Sequence, residues 1–117
     1  MAWIIESDRP VYLQIVEHIM NDIFSGRIKT GEQIKSVRDL AAEAEVNPNT
    51  MQKALQELER IGLVYSKRTS GRYVTEDAEL VRKLKEEKMV ERLKIFLERM
   101  ENIGISKQDL IRILESK

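Results

Sequence analysis

Apolar residues recur along this chain at helical spacing in five stretches and at strand spacing in one. Ile15, Val16, Ile19, Met20, Ile23 and Phe24 share one face of a helix predicted from Val11 to about Ser25. Pro10 suits its first turn and Gly26 its end, while residues 1–9 read as an extended arm. Thr30-Gly31 marks a turn within Arg27–Gln33, with Ile28 and Ile34 expected to anchor that segment to the core. A second helix follows Ser36, a favoured N-cap residue, with Asp39 three positions later. Its apolar face is Val37, Leu40, Ala41 and Ala44, and it ends near Glu45. Asn47 then caps a third helix with Pro48 in its first position. Met51, Ala54, Leu55, Leu58 and Ile61 form its stripe, and Gly62 stops it.

Leu63–Arg68 and Arg72–Thr75 carry β-favouring residues around Thr69-Ser70-Gly71 and predict a hairpin. From Ala78 to about Asn102 a longer helix is expected, with Lys85-Glu86-Glu87-Lys88 interrupting its apolar stripe. Gly104 breaks it, and Ser106 with Asp109 repeats the capping spacing before a last helix from Lys107 to about Leu114. The order helix, helix, helix, hairpin contains two short helices joined by Glu45-Val46-Asn47, the spacing of a helix-turn-helix. The expected fold is mainly α with a small β-hairpin. Residues 1–77 form a winged helix-turn-helix and residues 78–117 a two-helix tail.

Composition narrows the chemistry. The 117 residues are 42% hydrophobic and contain no cysteine, which removes disulfides, thiolate catalysis and cysteine zinc sites. No signal-peptide pattern or membrane-length apolar run is present, so a soluble cytoplasmic protein is expected, with no membrane partner. His18 is the sole histidine and falls with Gln14, Asn21 and Asp22 opposite the apolar stripe of the first helix. No catalytic set assembles around it, and no metal or cofactor site is expected. The chain does not read as an enzyme.

Charge matters through its placement. The 20 basic and 20 acidic residues cancel, yet between Lys35 and Val74 seven basic residues stand against five acidic ones. The second helix of a helix-turn-helix enters the major groove N-terminus first. Here its early solvent face offers Asn49, Thr50, Gln52 and Lys53, whose amide, hydroxyl and ammonium groups can read base edges. Free N–H groups at that helix start are expected to attract phosphate. Lys35 and Arg38 precede it, and Lys67, Arg68 and Arg72 flank Gly71 in the hairpin, as a wing against a flanking groove requires.

Several stretches resemble the GntR family of bacterial regulators. They are Pro10-Val11-Tyr12-Leu13-Gln14-Ile15, Ser36-Val37-Arg38-Asp39-Leu40-Ala41, Val46-Asn47-Pro48-Asn49-Thr50 and Leu58-Glu59-Arg60-Ile61-Gly62-Leu63-Val64. The resemblance spans roughly residues 10–75. It implies DNA contacts from Arg38 in the Ser36-Val37-Arg38 segment, from Asn47, Pro48, Asn49, Thr50, Gln52 and Lys53, and from the wing around Gly71. The chain departs from the family in carrying Ile34-Lys35 where Leu-Pro is usual, and Gln52-Lys53 where arginines are common. The first is expected to add a phosphate contact at Lys35 and loosen the loop, and the second bears on which operator is read.

The short tail is similar to that of the YtrA-type subfamily, which implies a homodimer held by these helices. Leu93, Phe96, Leu97 and Met100, with Leu110, Ile111 and Leu114, are the expected interface, because two helices alone enclose little core; the alternative is that they fold back on the same chain's winged helix. The expectation is thus a dimeric DNA-binding repressor on a palindromic double-stranded operator. A small-molecule effector is compatible with the sequence, but no convergent polar cluster marks its place. The rival is a winged helix used only to dock proteins, for which apolar groups at the start of the third helix would be expected.

Overall fold

A computed structural model of the protein describes residues 3–117. The elements run α1 (Val11–Phe24), α2 (Val37–Ala44), α3 (Pro48–Arg60), β1 (Val64–Lys67), β2 (Gly71–Val74), α4 (Ala78–Asn102) and α5 (Lys107–Glu115). They form two compact units, the first ending at Arg82 and the second covering Lys83–Lys117.

The first unit is organised around α3, which packs against α1, α2 and β1. Its stripe, Met51, Ala54, Leu55 and Leu58, is wholly buried, together with Ile15 of α1 and Leu63 and Val74 of the hairpin region. Burial on this scale contributes about 1.5–3 kcal/mol for each large side chain. Ile19 and Ile23 of α1 and Leu40, Ala41 and Ala44 of α2 belong to the same core, as do Val16, Met20, Ile34 and Val64.

The hairpin pairs antiparallel in the register Val64↔Val74, Tyr65↔Tyr73, Ser66↔Arg72 and Lys67↔Gly71. It is tighter than the predicted strands because Leu63 serves the helix end: its N–H donates to Leu58 O at 3.1 Å. A third segment, not foreseen, lies along β2. Gln33 bridges Tyr73. The Ile34 N–H donates to Arg72 O, and the Val74 N–H donates to Glu32 O. The wing therefore grows from a small sheet rather than from an isolated hairpin, which alone would be marginal.

The N-terminal arm, expected to be extended, instead folds back on α1 from residue 3. Gln14, expected on a solvated face, is buried and holds it. Its Oε1 accepts from the Glu6 N–H at 2.7 Å. Its Nε2 donates to Glu6 O and Arg9 O at 2.7 and 3.0 Å. Trp3 stacks on His18 with ring centroids 3.8 Å apart. A buried carboxamide must find such partners, and the arm's backbone supplies them.

In the second unit α5 begins with a full capping box. The Asp109 N–H donates to Ser106 Oγ, and the Ser106 N–H donates to Asp109 Oδ2. The Ser106 backbone bond is the largest influence holding the Asp109 carboxyl below its ordinary range. No residue of α4 or α5 is buried. Leu97, Met100 and Leu110 are half-covered, whereas Leu93, Phe96, Ile111 and Leu114 are exposed. Met89, Val90 and Ile95 are exposed as well.

Candidate nucleic-acid interface

The predicted DNA-facing residues lie on three neighbouring elements of the first unit. Ile34 is buried and fixes the chain where α2 begins. Lys35, next to it, points outward, and its Nζ lies 3.1 Å from Glu43 Oε2. Ser36 caps α2 in an extended conformation and accepts the Asp39 N–H at 3.1 Å. Arg38 is exposed and has no polar partner among the described residues. The Val37 and Arg38 N–H groups also point out of the helix start unpaired among the described residues.

The helix-turn-helix turn depends on Glu45, which adopts the left-handed conformation with φ 57° and ψ 47°. It lets the Val46 N–H return to Ala41 O at 3.0 Å and redirects the chain into α3. Asn47 caps α3, accepting the Asn49 N–H on its Oδ1 at 2.7 Å. The Thr50 and Met51 N–H groups both donate to Asn47 O, and Pro48 has none. The expected pool of free N–H groups at the α3 start is therefore absent, because the cap consumes it. The corresponding free groups sit at the start of α2, beside Arg38.

Asn49 and Lys53 are exposed on α3, with Thr50 and Gln52 half-exposed. Lys53 does not simply extend into solvent: its Nζ lies 4.0 Å from the centre of the Tyr12 ring on α1. Farther along, Glu57 and Arg60 bind one another, so the far end of α3 is locally neutral. The Arg60 hydrogen bond is the chief reason the Glu57 carboxyl is held below its ordinary range.

In the wing, Arg68 is exposed and unpaired among the described residues. Lys67 lies over the Tyr73 ring, 4.3 Å from its centre. Gly71 begins β2 rather than occupying the turn itself. It has φ +111°, and a Cβ there would stand 3.1 Å from the Gln33 amide nitrogen. That amide in turn donates to Ser70 O, bracing the wing tip. Glycine is required both by the backbone angle and by this close approach.

Arg72 differs from the other cations. Its side chain is only 18% exposed and binds the Glu59 carboxylate of α3. Ser66 on β1 donates to the same oxygen at 2.7 Å. Burial is the strongest single influence on Glu59 and pushes its carboxyl up. The two hydrogen bonds and the Arg72 charge together outweigh it and leave the carboxyl below its ordinary range.

Tyr12, Tyr73, Gln33 and Glu59 were not singled out from the sequence. Tyr12 and Tyr73 had one available signal, an aromatic ring beside a candidate DNA element, but their lysine partners depend on the tertiary fold. Among the described residues no cluster of His, Asp and Glu forms that is suited to a metal ion. None of their helices is long and apolar enough to cross a membrane.

Comparison with known proteins places this geometry. Residues 11–74 match the family described as bacterial regulatory proteins, gntR family. The chain is 40% identical to the HTH-type transcriptional repressor YtrA of Bacillus subtilis over 62% of its own length and 55% of the relative's. A GntR family transcriptional regulator from Listeria monocytogenes superimposes with a TM-score of 0.88 at 34% identity, covering 96% of this chain and 98% of that one. The DNA-binding domain of AraR in complex with operator ORX1 is similar with a TM-score of 0.56 at 26% identity, over 64% of this chain and 99% of that one.

Proposed function

The chain belongs to the gntR family of bacterial regulatory proteins and is a transcriptional regulator with a DNA-binding domain; from that premise we propose that it is a repressor binding a palindromic operator as a homodimer. One observation carries the DNA-reading part: the exposed start of α3, with Asn49 and Lys53 clear of the core, stands between an outward Arg38 on α2 and a wing whose tip carries Arg68.

In this reading α3 enters the major groove by its N-terminal turns. Asn49, Thr50, Gln52 and Lys53 meet base edges, where an amide pairs with adenine and an ammonium with guanine. Asn47 and Pro48 set the angle of entry. Lys35 and Ser36 contact the backbone at the start of α2, helped by the unpaired N–H groups there, and Arg38 reaches a base edge or clamps the backbone beside them. Lys67, Arg68 and Gly71 lie against the adjoining groove, and Arg72 fixes the wing that presents them.

The second unit supports the dimer reading. Leu93 and Phe96 on α4 and Ile111 and Leu114 on α5 are exposed, with Leu97, Met100 and Leu110 half-covered. Exposed apolar side chains in this number seek a partner, and a second copy supplies a self-complementary one. Two linked reading heads then convert a modest half-site affinity into a tight operator complex. Repression is the outcome that operator occupancy alone produces, and the relative YtrA of Bacillus subtilis is named a repressor.

Selection of bound sequences from random double-stranded DNA tests this reading. Enrichment of an inverted repeat supports it. Absence of any enriched sequence, with the protein folded, favours a protein-docking winged helix.

A further inference from the structure

We propose that Tyr12 is a positioning residue for DNA reading, acting through Lys53; this rests on the DNA-binding reading of α3 given above. Lys53 is one of the polar groups on the early exposed face of α3, and the end of a lysine side chain is ordinarily mobile. Here its Nζ lies 4.0 Å from the centre of the Tyr12 ring. The two residues sit on different helices, and those helices are packed together through the core. The fold therefore places the ring, and the ring biases the ammonium toward one position.

The geometry leaves the ammonium usable. A ring face engages one side of the cation, and the remaining N–H bonds point away from it. Tyr12 is only half-buried and Lys53 is exposed, so that side faces solvent. The Tyr12 hydroxyl has no partner among the described residues and is not needed for the contact. Tyr12 thus lowers the entropy that Lys53 loses when it meets DNA, because much of that loss has already occurred. The wing repeats the arrangement with Lys67 over Tyr73. Tyr73, however, also stacks on Tyr65 and pairs with it across the sheet, so its substitution would disturb the hairpin itself. Tyr12 is the cleaner case.

The test uses the full chain and a thermodynamic cycle of Tyr12→Leu, Lys53→Met and both together, with Tyr12→Phe as the variant that keeps the ring. Binding is measured on DNA selected by the parent protein, and folding by circular dichroism. Tyr12→Leu is expected to weaken binding about 2- to 5-fold, the equivalent of one exposed cation–π contact. Tyr12→Phe is expected to bind as the parent does. In the Lys53→Met background Tyr12→Leu should cost nothing further. Equal losses in both backgrounds, or tighter binding by Tyr12→Leu, would overturn the proposal. A second reading needs no DNA: proton NMR of the free protein should show the Lys53 ε-methylene shifted upfield by the ring, preserved in Tyr12→Phe and lost in Tyr12→Leu. An unshifted methylene in the parent overturns the positioning role even if DNA binds. A shifted methylene in a protein that selects no DNA overturns the DNA-binding reading instead.

Discussion

The Arg72 guanidinium of β2 donates to the Glu59 carboxylate of α3, tying the wing to the end of the helix proposed to read DNA. Ser66 of β1 donates to the same oxygen, so both strands are held at one point. The orientation of the wing relative to α3 is thus set by a partly buried charged pair.

Glu59→Gln is expected to lower stability by about 1 kcal/mol at neutral pH, because the amide oxygen still accepts a hydrogen bond but without the charge that strengthens it. The Glu59 carboxyl is held below its ordinary range in the folded protein. Its contribution is therefore present above the unfolded carboxylate value of about 4.3 and lost as pH falls through the depressed folded value. Urea denaturation should show the difference between parent and variant at pH 7 and its disappearance in stronger acid. A difference that grows on acidification would contradict the assignment.

Arg38 and Arg72 should separate binding from stability. Arg38 is exposed without a polar partner among the described residues, so Arg38→Ala is expected to cost about 1–3 kcal/mol of operator affinity while leaving the urea midpoint nearly unchanged. Arg72→Ala removes the cationic partner of Glu59, leaves it only the Ser66 hydroxyl, and should lower the midpoint. The two variants compared by fluorescence anisotropy and by denaturation should fall on different axes, and identical behaviour would remove the distinction.

The turn before α3 carries a local strain. Glu45 is left-handed, and it is the non-glycine residue with positive φ among those described. A side chain there costs about 1–2 kcal/mol. Glycine removes that cost but adds about 0.5–1 kcal/mol of unfolded-chain entropy. Glu45→Gly is therefore expected to stabilise by about 0.5–1 kcal/mol, measured by thermal denaturation, with DNA affinity preserved. Destabilisation would mean that the Glu45 side chain contributes a contact of its own.

The tail prediction concerns assembly. Leu93→Glu combined with Phe96→Glu places charge on two exposed apolar positions and should convert a dimer to a monomer without unfolding the first unit. Truncation after Arg82 should do the same. Ending the chain there keeps Leu80, whose Cδ2 would lie 3.1 Å from a Cβ at Gly62. Both changes should weaken operator binding severely by removing the second half-site contact. Light scattering that shows an unchanged dimer would sink the assignment of these helices.

Much of this architecture was legible in the sequence because it depends on local rules. Asn47-Pro48 marks the start of α3, and Ser36 with Asp39 marks α2. The stripe Met51, Ala54, Leu55 and Leu58 identifies the core face without reference to the rest of the chain. What escaped depends on distant pairs. Helical spacing puts Gln14 opposite the apolar stripe and so predicts a surface residue. Only the returning arm, through Glu6 and Arg9, buries it. The pairing of residues 31–34 with β2 was hidden because that stretch has turn composition rather than strand alternation. The partners of Lys53, Lys67 and Arg72 were invisible for the same reason: their charges are evident in sequence, but the ring or carboxylate beside each is set by packing.

If a local array on a neutral protein reads DNA, its affinity must fall with salt. Binding of the full chain to its selected sequence and to a scrambled duplex should be measured across a range of salt concentrations. Log affinity should fall linearly with log salt, at a slope of about −0.9 for each phosphate neutralised, with the selected sequence bound more tightly throughout. A flat dependence, or equal affinity for the two duplexes, would contradict it.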